Sequence, residues 1–127
     1  MASTNTPHDV MGSAFAANDI VQASIEAILS ELKTAQSTLT GARPPREGTT
    51  ETYDAWLQRA ADVRGRPCLY PYIGSGFGNG PLVELADGSV KWDMINGIGV
   101  HMFGHSHPTM VRAQLEAGLA DVCMEGN

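Results

Sequence analysis

Three histidines lie close together in the segment GVHMFGHSHPTM, residues 99–110, and suggest a metal site. Imidazole is the commonest protein ligand for zinc, copper and nickel, and a zinc site needs at least three converging ligands. The histidines are His101, His105 and His107. No cysteine cluster or nearby carboxylate completes the set: Asp93 lies on a predicted hairpin, and the fourth histidine, His8, lies on the predicted N-terminal arm. We therefore expect these histidines to form turns and to pack, with no metal bound.

A helix is expected directly after the histidines. Pro108 suits the first helical turn, where its missing N–H is no loss. Apolar residues then recur at helical spacing from Met110 to Val122. His107 therefore falls at or beside the helix N-cap and not on a helix face, unlike the pair of histidines in H-E-x-x-H.

The segment LVELADGSVKWDMI predicts a β-hairpin. Asp87 and Gly88 form the dipeptide favoured in a type I′ turn. Apolar residues alternate on both sides of it, as they do in half-buried strands. They are Val83 and Leu85 before the turn, and Val90, Trp92 and Met94 after it.

A glycine-rich stretch, LYPYIGSGFGNGP, precedes the hairpin and invites comparison with a dinucleotide-binding loop. The fingerprint G-x-G-x-x-G fails in both registers, because its third glycine would fall on Asn79 or on Pro81. No strand is predicted before the stretch, and a strand, not a helix, follows it. We expect a flexible, close-packed loop here.

Two amphipathic helices are predicted in the N-terminal half. The first begins after Asn18, a suitable N-cap, and the second follows Thr49 or Thr50 and stops at Gly65 and Pro67. Their apolar stripes contain Val21, Ile25, Ile28, Leu29 and Leu32 in the first helix, and Tyr53, Trp56, Leu57 and Ala60 in the second. Two helices have little core of their own, so these stripes are expected to pack on another surface.

Composition indicates one domain of a water-soluble, cytoplasmic protein. The chain has 127 residues, 43% of them hydrophobic, and a formal net charge of -6. Its eight basic residues form no stripe, so neither nucleic acid nor an anionic membrane is an expected partner. The N-terminus resembles neither a signal peptide nor a membrane span. Cys68 and Cys123 have no metal or redox spacing, and two reduced thiols are expected.

The run from residue 79 to residue 118 resembles the N-terminal part of the class III aminotransferases, the pyridoxal-phosphate-dependent family that includes acetylornithine, ornithine and 4-aminobutyrate aminotransferases. That family shows a glycine, a D-x-D/E-G hairpin, an aromatic residue before Asp, a glycine-rich strand, and G-H-x-H-P opening a helix. The corresponding residues are Gly80, Asp87 with Gly88, Trp92 with Asp93, the segment Gly97 to Val100, and Gly104 through Pro108. The similarity covers about residues 68–127.

The resemblance implies a fold, a reaction and a set of substrate contacts. The region would be the first part of the small domain of a fold-type I pyridoxal-phosphate enzyme, in a homodimer whose loops help wall the substrate pocket. The substrates would be an amine or amino acid as donor and a 2-oxo acid as acceptor. The positions implied to approach substrate are Tyr70 with Pro71, the register alternative Tyr72, and Gly97, Ile98, Gly99 and Val100.

The chain lacks the segments that would bind the cofactor in that family. A Schiff-base lysine must be neutral, through desolvation or a neighbouring cation, and only Lys33 and Lys91 are available. Lys33 ends a surface helix, and Lys91 is expected to point to solvent, on the strand face opposite Val90 and Trp92. No catalytic, cofactor-binding or metal residue is therefore expected, and we interpret the chain as an inactive N-terminal fragment.

The predicted organisation is an α+β fragment in three parts. Residues 1–17 form a mobile arm, residues 18–66 a helical extension, and residues 67–127 the first part of the aminotransferase small domain, without the large cofactor-binding domain. Two alternatives remain: a non-catalytic interaction or dimerisation module built on the exposed helix stripes, and a histidine metal site.

Overall fold

The computed structural model describes residues 10–120. Within that range the protein is a small α+β fold with four α-helices, one 3₁₀ helix and an antiparallel sheet of three strands. The helices are α1 (Met11–Ala16), α2 (Asp19–Gln36), α3 (Thr50–Arg64) and α4 (Pro108–Gly118), and the 3₁₀ helix is Asn96–Gly99. The strands are β1 (Gly74–Asn79), β2 (Leu82–Leu85) and β3 (Val90–Trp92). Residues 36–107 form one compact unit, and the described residues before and after them form a second.

The unit formed by the two ends of the described chain contains the predicted first helix. The Asn18 side chain caps α2, because its Oδ1 atom accepts a hydrogen bond from the Ile20 N–H at 2.9 Å. Ile25 and Leu29, four residues apart on one stripe, are buried. Arg112 of α4 forms an ion pair with Glu26 of α2, which ties the two helices of this unit together at the surface.

Helix α1 lies in the segment expected to be an arm without regular structure. Residues 10–17 are the only part of that arm that the structure describes, and six of them form the helix Met11–Ala16. Alanine and methionine favour helix, but glycine disfavours it, so the propensity of MGSAFA does not by itself explain this short helix. The rest of the expected arm, including His8, lies outside the described residues.

The central unit contains the predicted hairpin, which the structure confirms. Strands β2 and β3 pair antiparallel with Val83 opposite Lys91, and β1 adds to the other side of β2 with Gly78 opposite Val83. The core of this unit joins Leu39, Leu82 and Val90, with Phe77 packed against them. Each large side chain contributes about 1.5 to 3 kcal/mol on full burial.

The hairpin turn differs from the predicted type I′ turn. Gly88 has φ 78° but Asp87 does not have a positive φ, whereas a type I′ turn requires one at both positions. The Gly88 N–H donates a hydrogen bond to the Leu85 carbonyl at 2.9 Å. The Leu85 N–H in turn donates to the Ser89 carbonyl at 2.8 Å. The connection is therefore a three-residue loop with glycine in the left-handed position. The Asp87 side chain instead accepts a hydrogen bond from the Ser89 N–H, which favours this turn.

Helix α3 has the predicted limits. Gly65 ends it in the left-handed conformation with φ 71°, as helix C-termini commonly do. Thr49 occupies the N-cap position, but its hydroxyl lies 2.7 Å from the Arg46 carbonyl and does not cap the helix. Tyr53 is the buried residue of this helix, whereas Trp56 remains 46% exposed.

The central part of the glycine-rich stretch is a strand, which corrects the expectation of a loop there. Residues 74–79 form β1, whose ladder with β2 shifts register between Gly74 and Gly78. Glycine has low strand propensity, so the local sequence gives no strand signal here. Pairing with β2 and the close approach of neighbouring backbone determine the conformation instead.

The segment from Gly97 to Val100 is not the expected glycine-rich strand. Four successive residues have positive φ: Asn96 at 58°, Gly97 at 57°, Ile98 at 57° and Gly99 at 88°. Such a run turns the chain tightly and cannot join a sheet. Left-handed backbone costs a β-branched residue such as Ile98 roughly 1 to 2 kcal/mol. The other three residues of the turn are two glycines and an asparagine, which adopt left-handed backbone at lower cost.

Across residues 10–120, no helix combines the length and the apolar character that crossing a lipid bilayer requires.

Candidate functional site

His105 and Asp93 form the best-defined polar pair of the central unit. The His105 Nε2 atom lies 2.7 Å from Asp93 Oδ2, and both side chains are mostly buried, at 13% and 17% exposure. The expectation that no carboxylate lies near the histidines is therefore wrong. The left-handed turn after Asp93 and the positive φ of Gly104 reverse the direction of the chain. Asp93 and His105, twelve residues apart in sequence, therefore lie next to each other.

Asp93 is held as a carboxylate by several donors. Burial acts to raise its pKa, but the hydrogen bond from His105 and the backbone N–H groups of Ile95 and Asn96 together lower the pKa below its usual value. The two N–H groups donate to Oδ1 at 2.9 and 2.8 Å. One carboxylate thus starts the left-handed turn with one oxygen and orients His105 with the other.

The other two histidines belong to ring contacts. The His101 ring stacks on the His105 ring with a centroid distance of 4.1 Å, and His107 lies 6.0 Å from the Phe103 ring. Within residues 10–120, no three His, Cys, Asp or Glu side chains converge as a metal site would require. His107 directly precedes α4, as the proline signal predicts. Cys68 is a free thiol beside Arg64, and Cys123 lies outside the described residues.

Close backbone approach explains the glycines that face the histidine segment. The His105 N–H donates to the Gly80 carbonyl at 2.8 Å. A Cβ atom on Gly104 would lie 2.8 Å from the Gly80 Cα, and one on Gly78 only 2.4 Å from the His105 Cβ. Gly78 also donates its N–H to the Ser106 hydroxyl at 3.1 Å. These glycines bring the G-H-x-H segment against β1.

An aromatic cleft lies on the other side of Asp93. Its volume is about 370 Å³, within the usual range for small-molecule sites. Its walls include two of the residues expected to contact substrate, Tyr70 and Tyr72, together with Lys91, Trp92, Asp93 and His105. The Lys91 ammonium lies 5.7 Å from the centre of the Tyr72 ring, and its side chain is half-buried. This corrects the expectation that Lys91 points to solvent. We call this space the tyrosine cleft.

Tyr53 of α3 fixes the backbone of the cleft's tyrosine wall. Its hydroxyl accepts a hydrogen bond from the Ile73 N–H at 2.8 Å and lies 3.3 Å from the Pro71 carbonyl, to which it donates. Burial raises the pKa of Tyr53 above its usual value, although the Ile73 N–H acts in the opposite direction. The Tyr72 N–H donates to the Tyr70 carbonyl at 2.8 Å, which bends the chain around Pro71.

Replacing Tyr53 by phenylalanine tests this anchoring role. The Y53F variant removes both hydrogen bonds, and because Ile73 is half-buried and Pro71 exposed, each contributes about 0.5 to 1.5 kcal/mol. We expect a loss of this size in the free energy of unfolding measured by urea titration. Tyr70 is 57% exposed and provides the matched control, Y70F, which should leave stability unchanged. Equal stability of Y53F and wild type would contradict the anchoring role.

The remaining residues expected to contact substrate lie away from the tyrosine cleft. Gly97, Ile98, Gly99 and Val100 are all exposed and do not line it. Ile98 is 91% exposed at the tip of the left-handed turn. The structure therefore brings together Tyr70 and Tyr72, but does not join the glycine segment to them. A strained, exposed residue of this kind is itself consistent with a functional surface.

Sequence reasoning did not identify Asp93, His105 and Lys91 as parts of one site. Asp93 and His105 were separated by a segment expected to be a strand, which would have carried them apart. The available signal was the sequence D-x-x-N-G-x-G, in which asparagine and glycine favour left-handed backbone.

Comparison with known proteins identifies no relative: no family model, no curated protein and no solved structure matches the chain.

Proposed function

We propose that the chain is the N-terminal portion of a pyridoxal-phosphate-dependent aminotransferase that transfers an amino group from an amine or amino acid to a 2-oxo acid. The main support is that Tyr70 and Tyr72 line the same cleft as Trp92, Asp93 and His105, which belong to the motif series that resembles class III enzymes. Residues separated along the resemblance thus converge on one concave surface. In this proposal that surface is one wall of the substrate pocket.

The described residues of the chain do not fit the cofactor themselves. Lys33 is exposed, and Lys91 lies beside the Tyr72 ring, whose face attracts the charged ammonium. A lysine that would hold pyridoxal phosphate covalently has to be neutral. The pyridoxal phosphate, which supplies the electron sink for amino transfer, would therefore be held by other residues of the intact enzyme. This chain contributes substrate contacts and their support.

Borohydride reduction tests the division of roles between this chain and the cofactor-binding part. The 127-residue protein, incubated with pyridoxal phosphate and reduced, should carry no lysine labelled in stoichiometric amount. It should also transfer no amino group from a panel of amino acids to 2-oxo acids. A clean, stoichiometric label on Lys91 or Lys33 would contradict the proposed roles.

The native gene product provides the direct test of the proposal. Protein purified from its source with an antibody against the chain should show the visible absorption of an internal aldimine and aminotransferase activity. A native product that neither absorbs there nor transfers an amino group would overturn the proposal.

We further propose that the protein assembles as a homodimer, which would also serve the alternative function of an interaction module. Ile28 and Trp56 belong to the apolar helix stripes and remain 48% and 46% exposed. Exposed apolar side chains on two helix stripes favour association, because each gains free energy on burial.

Sedimentation velocity checks the homodimer. The chain should self-associate with rising concentration, and Trp56→Ser should weaken the association because it removes the largest side chain of the stripe. Ile20 is 77% exposed but does not belong to either stripe, so Ile20→Ser is the matched control and should associate as wild type does. A monomer at every concentration would contradict the homodimer.

A further inference from the structure

We propose that the tyrosine cleft binds a small carboxylate that carries an aromatic or other flat apolar group, and that the Lys91 ammonium pairs with the carboxylate. Binding in the cleft needs no cofactor. Only the role of the bound molecule as a substrate rests on the proposed function. In an aminotransferase, that substrate would carry an apolar side chain, and Lys91 would be a substrate-binding residue.

The charge of the cleft comes from Lys91. Asp93, the acidic residue that lines it, is already committed to His105 and to two backbone N–H groups. Among residues 10–120, no carboxylate lies within ion-pair distance of Lys91. Lys91 is half-buried, and its ammonium lies over the Tyr72 ring. An incoming anion would supply the missing partner.

The shape of the cleft favours a flat apolar group beside that charge. Two aromatic side chains that line it remain more than half exposed: Tyr70 at 57% and Tyr72 at 56%. Val83 and Leu85 of β2 add aliphatic surface. Aromatic rings gain from stacked or edge-to-face contacts in addition to area burial. A ligand ring would cover these faces while its carboxylate reaches Lys91.

Lys91 and the tyrosines are held in position by the fold. Lys91 lies on β3 opposite Val83 in the hairpin ladder. The Tyr53 hydroxyl holds the chain on both sides of Tyr72 through Pro71 and Ile73. A site built on a strand and an anchored segment loses less conformational entropy on binding than a mobile loop would.

Three matched probes test the charge requirement: phenylacetate, the neutral phenylacetamide and the cationic phenethylamine. Titrations are followed by tryptophan fluorescence in a Trp56→Phe background, which leaves Trp92 as the reporter, and by NMR chemical shifts of the Trp92 indole. We expect phenylacetate to bind in about the millimolar range and about tenfold more tightly than the amide, a ratio equivalent to about 1.4 kcal/mol. The amine should bind more weakly still.

Variants assign the binding to named side chains. Lys91→Gln should weaken phenylacetate binding about tenfold and make the acid and the amide bind equally, whereas the exposed Lys33→Gln should change neither value. Tyr72→Leu should weaken the binding of phenylacetate and of phenylacetamide because it removes the ring contact. Circular dichroism of each variant confirms that the fold is retained.

Equal binding of acid and amide to the wild-type chain would overturn the proposal, as would an unchanged affinity in Lys91→Gln or no binding of any probe at tens of millimolar. These outcomes are separable from the proposed function. Phenylacetate has neither an amino nor a 2-oxo group, so its binding reports the cleft alone, whereas the aldimine of the native product reports the enzyme.

Discussion

Gly78→Ala is expected to be strongly destabilising. Its Cβ would lie 2.4 Å from the His105 Cβ and 2.5 Å from the Leu82 carbonyl oxygen. The oxygen belongs to the backbone of β2, which cannot move without disturbing the ladder in which Gly78 pairs with Val83. Overpacking of this kind costs about 3 kcal/mol, which lowers Tm by more than about 10 °C in a domain of this size. Thermal and urea unfolding measure the loss.

Gly41→Ala provides the control for Gly78→Ala. Gly41 belongs to the same unit, its φ lies outside the left-handed region, and a Cβ there meets no atom within 4 Å. Its replacement should be neutral or stabilise by about 0.4 to 1 kcal/mol through the unfolded chain. A Gly78→Ala variant that melts with wild type would show that the histidine segment does not pack on β1 as described.

Local sequence signals predicted the elements whose conformation is determined locally. The cap at Asn18, the C-terminal glycine at Gly65 and the proline at Pro108 each mark a helix end that the structure contains. Apolar alternation likewise predicted β2 and β3. Such signals act within a few residues of the backbone they determine, so a single sequence carries them completely.

The glycine-rich segments were predicted incorrectly because their conformation depends on distant partners. Glycine permits both strand and left-handed backbone, so its presence does not choose between them. Residues 74–79 become a strand by pairing with β2, whereas residues 96–99 turn because the Asp93 carboxylate binds the N–H groups that begin the turn. The two expectations were thus reversed, with a strand where a loop was predicted and a turn where a strand was predicted.

The candidate site was predicted only in part for the same reason. Tyr70 and Tyr72 were identified from the family resemblance, and they line one cleft. The pairing of Asp93 with His105 requires the left-handed turn, which local sequence patterns do not predict. Strand alternation predicts which face of β3 carries the Lys91 side chain. It does not predict that the Tyr72 ring lies against that side chain. Contacts that form when the chain folds back on itself cannot be predicted from the spacing of apolar residues.

Asp93→Asn is expected to remove the second major constraint on the histidine segment. The amide keeps the shape of the carboxylate, so its oxygen can still accept from Ile95 and Asn96, but it loses the charge-assisted bond to His105. A hydrogen bond to a charged group contributes about 1.5 to 3 kcal/mol, and we expect a loss in this range by urea unfolding near pH 6. The exposed Asp54 on α3 is the control, and Asp54→Asn should unfold as wild type does.

The difference between wild type and Asp93→Asn should disappear in acid. Because the pKa of Asp93 is lowered in the folded protein, its contribution is present above the unfolded value of about 3.9 and is lost as pH falls through the folded value. Unfolding curves from about pH 6 to pH 2 should therefore converge. A double-mutant cycle with His105→Asn isolates the pair, and its coupling free energy should vanish over the same range. A difference that persists unchanged to pH 2, or a cycle with no coupling at pH 6, would show that Asp93 does not act through His105.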